Sequence, residues 1–162
     1  MQSNKRILGI DPGTQVTGYG IIEVEISGMI RHCYHGIIKT NRKSSLSFRL
    51  KEIYSGLLDV IKKFKPDEVA LEDIFYSDNI KTAIVMGHAR GVALLAPMHM
   101  GIAPAEYSPR EVKMAVVGNG GASKGQVKFM VENILKLDAE IESQDAADAL
   151  AVAICHFHRM KQ

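Results

Sequence analysis

Cysteine is scarce in this chain, and a long apolar run is missing altogether. Cys33 and Cys155 are the only thiols among 162 residues, and they form no C-x-x-C pair. That spacing argues against a disulfide scaffold and against a cysteine-rich metal knuckle. Two isolated thiols without a signal peptide point to a reducing, cytoplasmic setting, with both acting as small buried hydrophobes. No stretch reaches the ~18 consecutive apolar residues that span a bilayer. An excess of one charge is lacking too. Lys and Arg number 20 against 18 Asp and Glu, for a net charge of +2 and a pI near 8.5. Such a balance neither argues for nucleic-acid binding nor excludes it, so any basic surface must be local. No repeat, low-complexity tract or linker interrupts the chain, and residues 1–162 fit one domain with an adequate core. Hydrophobic content of 46% and charged content of 23% are those of an ordinary globular protein.

What is present is an ordered series of short apolar runs and amphipathic stretches. Residues 6–10 read as a strand, 17–26 as a second and 29–38 as a third, with Ser27-Gly28 as a turn. Connections this short make an antiparallel meander. Leu46, Leu50, Ile53, Leu57, Val60, Ile61 and Phe64 recur at spacings of three and four, an amphipathic helical stripe closed by Lys65-Pro66-Asp67. Residues 68–72 return as a strand. Residues 79–99 are helical in pattern, with small residues Gly87, Ala89, Gly91 and Ala93, and 101–107 suggest another strand. Ser108-Pro109-Arg110-Glu111 combines an N-cap, an N1 proline and a capping-box acid, starting a helix that ends near Val117. Gly118-Asn119-Gly120-Gly121 is a flexible loop. Ser123 starts a further helix with Val127, Met130, Val131, Ile134 and Leu135 on its apolar face, and the last helix spans 143–160. Strands apolar on both faces need cover on both sides. The series predicts an α/β protein: a mixed five-stranded sheet flanked by helices on both faces.

Four carboxylates stand out against this background. Asp145 and Asp148, in Ser143-Gln144-Asp145-Ala146-Ala147-Asp148-Ala149-Leu150, lie three apart in an alanine-rich helix and so share a face. Asp11 closes the run Ile7-Leu8-Gly9-Ile10, and Glu72 closes Val69-Ala70-Leu71. Ligands of open α/β sheets bind outside strand ends. Like charges gathered on an apolar surface repel unless a cation neutralises them, and an all-oxygen set suits Mg²⁺ or Mn²⁺. Four such groups could hold two Mg²⁺ ions ~3.5–4 Å apart, the spacing of two-metal phosphodiester chemistry. Each residue also has a plainer reading. Asp145 could complement a helix N-terminus, Asp11 before Pro12-Gly13 could be a turn aspartate, and Glu72-Asp73 could be a solvated strand exit.

The order of these parts resembles one family. Gly9-Ile10-Asp11-Pro12-Gly13, Ala70-Leu71-Glu72-Asp73-Ile74-Phe75 and Gln144 through Leu150 resemble the three acidic motifs of the RuvC family of bacterial Holliday-junction resolvases. Gly87-His88-Ala89-Arg90-Gly91-Val92, Tyr107-Ser108-Pro109 and Lys113 through Gly125 look like its other typical segments, and the resemblance runs from roughly Arg6 to His156 without a large insertion. It implies an RNase H-like fold and a homodimeric endonuclease that cuts two strands of four-way junction DNA symmetrically. It also implies Mg²⁺, two per site with Mn²⁺ as a substitute, and RuvA and RuvB as collaborators. By position, Asp11, Glu72, Asp145 and Asp148 match the family's four metal-binding acids. Some members have His where this chain has Asp145, so the set here is the more oxygen-rich. Asp11, on a central strand, would bridge both metals, with Glu72 on one and Asp145 and Asp148 on the other. Lys124 matches a basic residue that supports catalysis, and Lys113 another that could hold a phosphate. Solvation is the plain alternative for both lysines.

Phe75 follows Glu72 by three in a segment that turns polar, and it resembles the family's junction-centre aromatic. Stacking on an unpaired base is worth ~1–3 kcal/mol. Tyr76 shares or competes for that role, and a core phenylalanine capping the strand is the alternative. His88 is read as a polar contact at a subunit interface rather than a metal ligand. The small residues of 79–99 suit close packing either of a second copy or of the chain's own core. Rival readings are weaker. An actin-like or sugar-kinase ATPase shares the Asp11-Pro12-Gly13-Thr14 opening but needs two such domains and a second phosphate motif. Against another RNase H-like nuclease, of the RuvX/YqgF type or an RNase H proper, the Phe75 segment and the Asp-Ala-Ala-Asp helix argue for the resolvase. A silent junction-binding module has no use for four acids near DNA phosphates.

Overall fold

The first strand, β1 (Lys5–Asp11), sorts its side chains into two cores. Ile7 joins the core on one side of the sheet, while Leu8 and Ile10 join the other, as a period of two dictates. The computed structural model describes residues 4–73 and 78–160. In it β1 is the central member of a five-stranded sheet completed by β2 (Val16–Val24), β3 (Ile30–Lys39), β4 (Glu68–Glu72) and β5 (Ala105–Tyr107), in the order β3-β2-β1-β4-β5. The β1-β2-β3 meander is antiparallel, and β1-β4 and β4-β5 are parallel. The sheet is therefore mixed, as expected. One face is covered by α1 (Leu46–Phe64) and α2 (Ile80–His99), the other by α3 (Pro109–Val117), α4 (Lys124–Ile134) and α5 (Gln144–Met160).

Local chemistry explains the boundaries. Ser108 and Ser123 each accept from the backbone N–H three residues on, while Glu111 and Gln126 reach back to complete two capping boxes. β2 ends two residues earlier than the apolar pattern suggests, because Glu25 already belongs to the turn: its N–H donates to the Met29 carbonyl and its own carbonyl accepts from Gly28. β5 is shorter still. Gly101 takes a φ of 79°, and the carbonyls of Pro97 and Met98 hold residues 100–102 as the frayed end of α2, so pairing with β4 begins only at Ala105.

α5 is the helix that organises the site. Every residue from Ala146 to Phe157 is buried except Asp148. The small alanines let it lie close on the sheet, and larger members such as Leu150 and Ile154 contribute ~1.5–3 kcal/mol each by burial. Its seat is a trough of glycines. Gly9 of β1 pairs with Gly20 of β2, and Asp11 pairs with Gly18. A methyl placed on Gly9 would lie 2.0 Å from the Ala149 carbonyl oxygen, and one on Gly18 would lie 2.0 Å from that of Asp145. Glycine here marks close backbone approach. No helix among the described residues is long and apolar enough to cross a membrane.

Candidate active site

Strand parity carries two acids to α5. On β1, Ile7 faces the α5 core and Asp11 lies four residues on, hence on the same face. On β4, Ala70 faces that core and Glu72 follows by two. Both sit where the parallel strands end, and the glycine trough sets the first turns of α5 against them. The result is a cavity of about 290 Å³ lined by Asp11, Glu72 and Asp148 together with Lys113 of α3 and Lys124 of α4. Its wall is apolar where Met86, Val112, Val127 and Ala151 contribute. A wider groove of about 600 Å³ beside β3 holds His32, His35 and Glu142, and among the described residues no Lys or Arg lines it.

Electrostatics mark the cavity more strongly than its size. Burial, and then the charges of Glu72, Asp148 and Asp145, push the Asp11 carboxyl up to about 8, against a smaller opposing pull from Lys124. Glu72 rises to about 7, through burial first and Asp148 second, with Lys124 and Lys113 opposing. Lys124 Nζ stands 3.2 Å from Asp148 Oδ2, and Asp148 in turn raises the lysine's pKa. Among the described residues, no three of His, Cys, Asp and Glu form a finished metal cage. Lys124 and Gln144 hold Asp148 instead, and mutually repelling carboxylates close to ligand distance only around a cation. The donor set fits one. It is all oxygen, burial and then mutual repulsion keep protons on Asp11 and Glu72 near neutral pH, and a divalent ion would hold the set ionised.

A pH dependence follows. Native Asp11 keeps a proton that the unfolded chain loses above a pH of 3.8. Stability from this group is therefore fully present below that value and is lost as pH rises toward about 8. In EDTA the thermal midpoint should fall across this window, and Mg²⁺ should restore it at the alkaline end. A metal-free midpoint that climbs steadily from pH 5 to 8.5 would contradict this ionisation picture.

The structure places the remaining sequence candidates unevenly. Asp145 acts on Asp11 electrostatically but does not line the cavity; its carbonyl is pressed against Gly18. Phe75 and Tyr76 lie outside the described residues. His88 is exposed, with Nδ1 against the Ile84 carbonyl at 2.8 Å. Two residues quoted only as parts of motifs make contacts that the sequence does not announce. Arg90 of α2 pairs with Asp73 Oδ1 at 3.0 Å and with Glu106, tying the end of β4 beside Glu72 to β5. Gln144 Nε2 donates to Asp148 Oδ1 at 2.8 Å. Gln144 opens the third acidic motif of the sequence, and its i, i+4 spacing from Asp148 is the signal for this contact.

A family model described as crossover junction endodeoxyribonuclease RuvC matches residues 7–156. The chain belongs to the RuvC family. The crossover junction endodeoxyribonuclease RuvC of Desulforamulus reducens is 49% identical over 150 residues, which are 93% of this chain and 91% of that one. The solved RuvC of T. thermophilus in complex with Holliday junction substrate superposes with a TM-score of 0.88 at 33% identity, covering 97% of this chain and 96% of that one. The yeast mitochondrial Holliday junction resolvase, at 14% identity and a TM-score of 0.60 over 94% of this chain and 79% of its own, shares the fold. The RNase H-like architecture expected from the RuvC motifs is therefore the one observed.

Proposed function

We propose that this chain is a metal-dependent endonuclease that resolves four-way DNA junctions by paired nicks in opposing strands, in the cytoplasm, during recombination and repair. The observation that carries the reading is the gathering of Asp11, Glu72 and Asp148 with Lys113 and Lys124 in one cavity at the strand ends of a RuvC-family chain. In this reading residues 1–162 work as one nuclease domain.

Asp11, Glu72, Asp148 and Asp145 are the residues that would hold divalent metal, two Mg²⁺ or Mn²⁺ ions per site. When bound, such metal supplies a hydroxide-like nucleophile near neutral pH and neutralises the leaving 3′ oxygen. The chain's own residues do the rest. Lys124, which lines the same cavity, would counter the negative charge that builds on the phosphoryl oxygens during in-line displacement. Lys113, another lining residue, would hold the phosphate in register. The apolar wall of Val112, Val127 and Ala151 lowers the local dielectric and strengthens both effects.

Paired nicks call for paired sites. α2 supports a two-fold dimer: Ile80, Ile84 and Leu95 are 75%, 56% and 58% exposed. A methyl on Gly87 or Gly91 would meet nothing within 4 Å. An apolar face of this kind with room for close approach suits a second copy. Partnership with RuvA and RuvB belongs to the same reading and rests on family membership alone.

The deciding experiment sets a synthetic four-way junction against a linear duplex and an RNA–DNA hybrid of the same sequence, with Mg²⁺ or EDTA. Paired, metal-dependent nicks in the junction alone support the reading; cutting of the hybrid moves the chain to another nuclease activity. Phe75→Ala is expected to reduce junction cleavage while sparing affinity for linear duplex, by the ~1–3 kcal/mol of a lost stacking contact. Equal losses on both substrates would remove Phe75 from the junction centre.

A further inference from the structure

Asp148 is gripped from two sides, and the grips differ in kind. Lys124 reaches Oδ2 from α4 with a side chain that is 72% exposed, whereas the Asp148 side chain is only 13% exposed. Gln144 reaches Oδ1 from the same helix, four residues earlier, at 2.8 Å. An i, i+4 neighbour on one turn is fixed relative to its acceptor, while a long exposed lysine is free to leave. The carboxylate torsion of an aspartate is intrinsically broad. A short bond to one oxygen narrows it and decides which oxygen faces the cavity.

We propose that Gln144 is a positioning residue: its side-chain amide holds Oδ1 of Asp148 and so presents Oδ2 to the cavity as the oxygen that exchanges Lys124 for a divalent cation. This rests on the metal-dependent reading above and adds a residue to it. An amide suits the task because it donates without charge. A lysine at this position would neutralise Asp148 and compete with the cation, and a glutamate would repel the carboxylate it needs to hold. Exchange also explains why one lysine can serve twice. Lys124 caps Oδ2 before the cation arrives and, once displaced, is free to face the phosphate, while Gln144 keeps the carboxylate plane unchanged throughout.

Loss of an outer partner of a metal-binding carboxylate costs roughly 10–100-fold in metal affinity or activity, and an uncharged donor belongs near the lower end. The test uses the full chain and Mn²⁺ alone, titrated by electron paramagnetic resonance, in the wild type, Asp148→Asn, Gln144→Met and Gln144→Glu. Methionine keeps the length and helix preference of glutamine but cannot donate. Gln144→Met should bind Mn²⁺ about tenfold more weakly, with the metal-free thermal midpoint unchanged, and Gln144→Glu should not recover the affinity. On a four-way junction at limiting Mn²⁺, kcat should fall by a similar factor with KM for the junction unchanged, and raising Mn²⁺ tenfold should restore cutting. A merely structural glutamine would lower the midpoint and resist rescue, and that result overturns the proposal. Wild-type Mn²⁺ affinity in Gln144→Met overturns it while leaving the nuclease reading intact. Equal Mn²⁺ binding by the wild type and Asp148→Asn would overturn both.

Discussion

Asp11→Asn is expected to abolish junction cutting while making the metal-free protein more stable, not less. Asn has the shape of Asp without the charge. The charge is what the fold resists: burial, Glu72, Asp148 and Asp145 together hold the Asp11 carboxyl at about 8. At pH 8.5 the native wild type must carry that anion beside three others, and each like charge adds to the cost. A pKa moved from 3.8 to about 8 corresponds to a few kcal/mol of lost stability above the window. At ~2–4 °C per kcal/mol for a chain of this size, the variant's midpoint in EDTA should rise by several degrees, and the gain should vanish near pH 4. Cutting should fall by more than the ~10–100-fold that an outer partner costs, because a proposed ligand itself is gone. Junction binding in EDTA should hold or tighten, since one repulsion toward phosphate has been removed. The paired readout separates chemistry from folding. An inactive variant with a lowered midpoint would merely be misfolded, and an active one would take Asp11 out of the machinery.

Much of this site is legible in the sequence, and the reason is periodicity. Asp11 and Glu72 close apolar strands, so both the end of the sheet and, through parity, its face were implied by the residues before them. The capping box at Ser108 was readable because its signals lie within four residues. Contacts between distant segments were not readable in this way. Asp145 and Asp148 share a helix face, yet only Asp148 lines the cavity; the docking angle of α5 decides this, and a helix's own sequence does not encode the angle. That angle is set by Gly9, Gly18 and Gly20, which meet only once the β1-β2 register is known. Arg90 is a similar case, since its partners Asp73 and Glu106 come from two other elements. The expected strand over 101–107 overran for a local reason instead: a positive φ at Gly101 and the carbonyls of Pro97 and Met98 spend those residues on the end of α2.

Gly9→Ala should be severely damaging for so small a substitution. The added methyl would lie 2.0 Å from the Ala149 carbonyl oxygen and 2.8 Å from the Ala153 nitrogen. Both are backbone atoms of a buried helix, so no rotamer change makes room. Either α5 lifts off the sheet or β1 shifts against β2 and β4. Overpacking typically costs ~1–3 kcal/mol where side chains can yield, and a backbone clash belongs at or above the top of that range, about 10 °C in midpoint. The cost does not stop at stability. β1 carries Asp11 and α5 carries Asp148, so the displacement opens the gap between the two carboxylates, and a misplacement of ~1 Å can cost 10²-fold in rate. Cutting should therefore be poor even at temperatures where the variant is folded. Gly125→Ala is the control, because its methyl meets only Ser123 Oγ at 3.9 Å and should leave the midpoint unchanged or slightly raised. A Gly9→Ala protein with wild-type midpoint and wild-type cutting would mean that α5 does not lie in the glycine trough, and the account of how this fold brings its acids together would have to be rebuilt.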